Sequence, residues 1–151
     1  MKVMMRNLIM RKAVAFISAV VVTYLTAVLL VSQFNMARIS ELGHAISLPD
    51  RLQTIWSDWL GMLSTYLPLI VVAFLIAFVF TAFILQRFVA RSAVLYLLAG
   101  FVAILALHLI ANSVFGIVAI APTRTAIGLV AQGAAGALGA YLFYLLAWKT
   151  A

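Results

Sequence analysis

The sequence predicts an all-α integral membrane protein: a four-helix bundle with a short external amphipathic helix. Three observations predict it. The chain of 151 residues is 68% hydrophobic and 9% charged, against roughly 45–50% and about 25% in a soluble domain. Its apolar residues fall in four continuous runs of about 20, the length a helix needs to cross a hydrocarbon core of about 30 Å. The charges sit at the ends of those runs. The runs do not alternate every second residue as barrel strands do, and a lone sheet would leave unpaired edges in lipid. The whole chain, 1–151, reads as one four-span domain.

The first span covers residues 13–31. Lys2, Arg6, Arg11 and Lys12 precede it, which imitates a secretory signal. The run is longer than the 7–15 residues of a signal's apolar region, and the residues that follow, 32–37, make a poor small-residue cleavage site, so the expectation is an uncleaved span. Residues 32–65 form the one sizeable loop. Within it Leu52, Ile55, Trp56, Trp59, Leu60 and Leu63 recur at helical spacing, with Asp50, Arg51, Gln53, Thr54, Ser57 and Asp58 opposite. That pattern predicts an amphipathic helix over about 50–65, capped by Ser47 or Asp50. Two roles fit it: a helix lying in the headgroup layer, anchored by Trp56 and Trp59, or a docking surface for a partner.

The second span covers 66–85, with Pro68 at its start as a candidate bend. A six-residue link, Gln86 to Arg91, makes it a hairpin with the third span, 92–115. Gly116 and Pro122 break the chain before the fourth span, 125–148, which Thr123 is placed to cap and Trp148 to anchor at the interface. The apolar stretch from Ile117 to Ala121 reads as a turn dipping toward the membrane.

Ten basic and three acidic residues give a net charge of +7. Seven cations (Lys2, Arg6, Arg11, Lys12, Arg87, Arg91, Lys149) fall on the side of the termini and three (Arg38, Arg51, Arg124) on the other. The positive-inside rule then predicts a multi-pass protein of a cell inner membrane with both termini cytoplasmic and anionic lipid as a partner; nucleic acid is not implied.

The absence of cysteine removes disulfides, iron–sulfur clusters and thiol chemistry. No hydrolase triad, zinc motif or phosphate loop is present, and Glu41, His44, Asp50 and Asp58 match no metal-ligand spacing, so neither enzyme nor cofactor is expected. Asp, Glu, Lys and Arg are missing from the middle of every span, which argues against ion-coupled transport.

Two constellations remain. Gly128, Gln132, Gly136 and Ala140 lie four apart on the fourth span, flanked by rows containing Gly133 and Gly139. Small residues at this spacing allow close helix contact, either inside the bundle or with a second copy or another membrane protein. His108 is the ionisable side chain lying well inside a span, with Asn112 one turn on. It reads as an internal hydrogen-bonding group, a haem ligand shared across a dimer, or a proton relay. The leading expectation is a non-enzymatic accessory, assembly or scaffold subunit, a homo-oligomer or a partner of another membrane protein. A channel or carrier for a neutral or lipidic solute, using His108, Asn112 and Gln132 with Arg124 at its mouth, is the first alternative. A haem-bearing subunit held by His108 is the second.

Overall fold

The computed structural model describes residues 2–85, 92–115 and 121–149. It is all helical: α1 (Lys2–Glu41), α2 (Leu48–Phe80), α3 (Ala93–Phe115) and α4 (Ala126–Tyr144). A π-helical turn, Thr81–Leu85, extends α2, and another, Leu145–Lys149, extends α4. A 3₁₀ turn, Ala121–Arg124, leads into α4. All four helices are long and apolar enough to cross a membrane.

Successive helices are antiparallel neighbours. Arg11, Thr23 and Ala27 of α1 meet Ala147, Ala135 and Gln132 of the last helix. Phe16, Tyr24 and Gln33 of α1 meet Phe78, Tyr66 and Arg51 of α2. The result is an up-down-up-down bundle in which α4 packs extensively on both α1 and α3, while the α2–α3 seam is the loosest of the four. The end holding Arg11 and Trp148 is the terminal end; the end holding the α1–α2 turn is the hairpin end.

The predicted loop is far shorter than its sequence suggested. α1 continues through residues 32–41, and the amphipathic segment is the first half of α2, with no break before the second span. Nothing between Ser32 and Glu41 forces a helix to stop. The first residue that does is Gly43, at φ 88°, the left-handed position that ends helices. Leu42 and Gly43 accordingly donate back to Ser40, Ile39 and Arg38 carbonyls. Ser47 then caps α2 in a reciprocal box with Asp50: the Asp50 amide donates to Ser47 Oγ at 3.4 Å and the Ser47 amide to Asp50 Oδ2 at 3.2 Å. Pro68 lies inside α2 and faces outward. Proline is tolerated inside membrane helices where neighbouring groups meet the freed carbonyl.

The terminal half of the core is aromatic. Phe78 stacks on Phe143 at 4.4 Å and packs edge-on against Tyr96 and Phe16. Such pairs contribute about 0.5–1.5 kcal/mol each beyond their buried area. The aromatic belt closes this end: Trp148 Nε1 donates to Tyr96 Oη at 3.1 Å, and the Lys12 ammonium sits 4.4 Å over the Trp148 ring. Arg11 donates to the Ala147 carbonyl at 2.8 Å, a cation at a helix C-terminus.

α4 is capped by Thr125, whose hydroxyl accepts from the Gly128 amide at 3.1 Å, and not by Thr123, which lies in the preceding 3₁₀ turn. Thr125 has the extended backbone a cap needs and Thr123 does not. The expected Gln86–Arg91 hairpin link and the apolar turn from Gly116 to Ile120 lie outside the described residues.

Candidate functional site

The small-residue rows of the fourth span are occupied within the chain. Gly128, Gln132, Gly133, Gly136, Gly139 and Ala140 are all buried. A Cβ on Gly136 would overlap the Gly100 carbonyl, and one on Gly100 would overlap the Gly136 carbonyl, so α3 and α4 touch backbone to backbone. Gly139 faces the Thr23 hydroxyl and the Ala19 carbonyl of α1, and Gly133 lies under the Phe101 ring. The outward positions of α4 are Ile127, Val130, Ala134, Leu138 and Tyr141. The row expected as an intermolecular surface is thus the seam of the bundle itself. The reason is that α4 sits between two neighbours and meets each with a different small row.

A polar centre crosses the bundle one turn from this seam. Tyr66, His108 and Gln132 are buried, at 3%, 7% and 0% exposure. Tyr66 Oη donates to Gln132 Oε1 at 3.0 Å and lies 3.1 Å from His108 Nε2; Gln132 Nε2 donates to the Ala27 carbonyl at 3.1 Å. One chain of hydrogen bonds therefore links all four helices. Its proton order is determined. The Ala27 carbonyl only accepts, so the Gln132 amide nitrogen must face it and Oε1 must face Tyr66. Oε1 in turn only accepts, which commits the single phenolic proton to it. His108 Nε2 must then carry a proton and donate to Tyr66 Oη, and in the neutral ring Nδ1 presents a lone pair.

Sequence reasoning found His108 and Gln132 because polar residues in spans are rare. It missed Tyr66, which as a span-end tyrosine is indistinguishable from an interface anchor. Asn112 is exposed and is not part of the chain; it lines a cavity of about 230 Å³ at the hairpin end together with His108, Thr123 and Arg124. His108 is the residue that this cavity shares with the polar centre.

The tryptophans divide. Trp56 is exposed, whereas Trp59 is half-buried and donates from Nε1 to the Leu25 carbonyl at 3.1 Å, at the level of the first predicted span. Tyr24 Oη donates to the Trp59 carbonyl in return. The apolar face of the amphipathic segment is thus split: Ile55, Trp59 and Met62 turn toward the bundle, while Leu52, Trp56, Leu60 and Leu63 point outward. Asp58 accepts from the buried Ser32 hydroxyl, and Asp50 serves the α2 cap. His44 is exposed in the α1–α2 turn, remote from His108 in the bundle core. Among the described residues no three His, Cys, Asp or Glu side chains converge on a metal position.

Along the loose α2–α3 seam lies an open apolar groove of about 670 Å³. Its floor is small: Ala73 and Ala77 of α2 face Ala99, Ala103 and Ala106 of α3. It runs from Ala111 to Leu95, roughly 24 Å at 1.5 Å per residue.

Fold and polar centre together define a small multi-span helical membrane protein without metal- or cysteine-based catalytic motifs among the described residues. No known protein family, curated protein or solved structure matches this chain.

Proposed function

We propose that this chain is a non-enzymatic accessory or scaffold subunit of an inner membrane, and that it receives a transmembrane helix of a partner membrane protein in the α2–α3 groove. The groove is the observation that carries the reading. Two facing rows of alanine let a third backbone approach closely, and close van der Waals approach is what drives helix association in lipid. The groove is also long enough to follow a helix across most of the hydrocarbon core. The small rows of α4 are unavailable for this purpose, being consumed inside the bundle. Both termini face the cytoplasm on this reading, with Arg11 and Lys12 at an anionic lipid surface.

The carrier alternative has weaker support. His108 and Asn112 do share one cavity, but Gln132 does not line it and is tied between Tyr66 and Ala27.

The natural absence of cysteine makes the test clean. A photoreactive maleimide probe is placed on Ala103→Cys in the groove and on Val130→Cys on the outward face of α4, in native membranes. A protein adduct from position 103 alone, lost when Ala99→Trp fills the groove, is expected. An adduct at twice the chain mass identifies the partner as a second copy. Lipid adducts alone at position 103 would remove the proposal.

A further inference from the structure

We propose that the cavity at the hairpin end of α3 and α4 binds a protonated oxyacid: inorganic phosphate or a phosphate monoester carrying one P–OH group. Its hydroxyl donates to His108 Nδ1, and its anionic oxygens accept from Arg124.

The proton order of the polar centre sets the first half of this assignment. Because Ala27, Gln132 and Tyr66 fix a proton on His108 Nε2, the neutral ring offers Nδ1 as an acceptor. Among the described residues Nδ1 has no hydrogen-bond partner. It is nonetheless open to the cavity, since the one buried, unpartnered side-chain nitrogen or oxygen among the described residues is Arg11 Nε. His108 itself is 7% exposed, and it forms part of the cavity wall. A ligand meeting Nδ1 must therefore bring a donor.

The second half comes from the 3₁₀ turn that leads into α4. Arg124 is exposed, lines the same cavity and makes no ion pair with a described carboxylate. Its guanidinium fork suits the oxygens of a phosphate. Asn112 lies one helical turn beyond His108 and offers an amide N–H to a further oxygen. The ligand must thus combine one proton donor with several anionic oxygens at a single atom. An ionised carboxylate has no donor, and neither does the phosphodiester group of most phospholipids. A phosphate with its second ionisation near pH 6 retains one proton in a sizeable fraction of molecules near neutrality. The volume of about 230 Å³ accommodates such a group with water.

The source of the phosphate is free solute or a monoester lipid headgroup, and the test separates them. The full chain, labelled with ¹⁵N-histidine and carrying His44→Gln to leave one histidine signal, is placed in nanodiscs of zwitterionic lipid. Inorganic phosphate is titrated in. Parallel discs contain phosphatidic acid, or phosphatidylglycerol as an anionic diester control. The expected result is a saturable movement of the His108 Nδ1 resonance with inorganic phosphate or with phosphatidic acid, whichever is the source. Arg124→Gln raises the midpoint roughly tenfold or more, as loss of a charge-assisted hydrogen bond does. Asn112→Ala raises it by less. No movement with either probe overturns the proposal. So does an equal response to phosphatidylglycerol, or a midpoint unchanged in Arg124→Gln.

Discussion

His108 owes its tautomer to a backbone carbonyl three residues removed along a hydrogen-bonded chain. Ala27 orients Gln132, Gln132 takes the Tyr66 proton, and Tyr66 accepts from His108. Removing the glutamine frees the phenol to donate the other way. In Gln132→Leu, the Tyr66 proton is expected to move to a bond with His108 Nε2, leaving Nδ1 protonated. A ¹⁵N spectrum of the labelled histidine reads this directly, as an exchange of the two ring-nitrogen signals; unchanged signals would show that the chain does not set the tautomer. The same variant loses about 0.5–2 kcal/mol of stability, the worth of an intramembrane hydrogen bond, seen as a lower unfolding midpoint in detergent. The polar residues themselves were visible in the sequence, because His, Asn and Gln stand out in an apolar span. Their pairing was not. Nothing in the spacing of Tyr66, His108 and Gln132 joins residues on three different helices.

At the level of elements, glycine has two meanings in this chain. Gly136 and Gly100 allow α3 and α4 to touch, whereas Gly61 sits on an open face of α2, where a Cβ would meet nothing within 4 Å. Opposite outcomes are expected for the same substitution. Gly136→Ala forces the backbones apart and costs about 1–3 kcal/mol. Gly61→Ala removes unfolded-state freedom inside a helix and adds about 0.5–1 kcal/mol. Thermal unfolding of the two variants beside the parent checks both signs, and a Gly136→Ala protein as stable as the parent would refute the backbone contact. The helix periodicity of residues 50–65 and a cap at Ser47 or Asp50 are legible in the residues themselves, and the structure assigns the cap to Ser47. The continuity of that helix with the second span is hidden there, because hydropathy changes at Tyr66 while the backbone does not. A change from polar to apolar surroundings looks like an element boundary in sequence and need not be one.

For the whole molecule, the charge asymmetry makes a test of orientation. With termini inside, a cysteine at Leu42 in the α1–α2 turn lies outside the membrane. Leu42 is 78% exposed, so Leu42→Cys is expected to react with a membrane-impermeant maleimide in intact cells. Lys2→Cys is expected to react only after the membrane is opened; the reverse pattern would invert the topology. The groove between α2 and α3 also belongs to this scale. Its alanines read in sequence as ordinary span residues, and only the loose packing of that seam leaves them uncovered. The rows of α4 carry the opposite lesson. They looked like a surface with room for an outside partner, and α1 and α3 fill it.

Composition, run length and charge placement were enough to determine the class, the number of spans and the helical state of the spans themselves, but not the helical residues 2–12 and 32–41 that extend α1 beyond its span. These follow from the solvent: a backbone in hydrocarbon must satisfy its own hydrogen bonds, and a chain this apolar has few other solutions. Which small residues meet, which polar groups share a proton, and where the surface stays open were decided by tertiary structure. In lipid, apolar side chains gain little from facing one another rather than the solvent, so hydrophobic pattern does not say which helix faces which. Close backbone approach at Gly100 and Gly136, and the hydrogen bonds of Tyr66, His108 and Gln132, make that choice, and both depend on residues far apart in the chain.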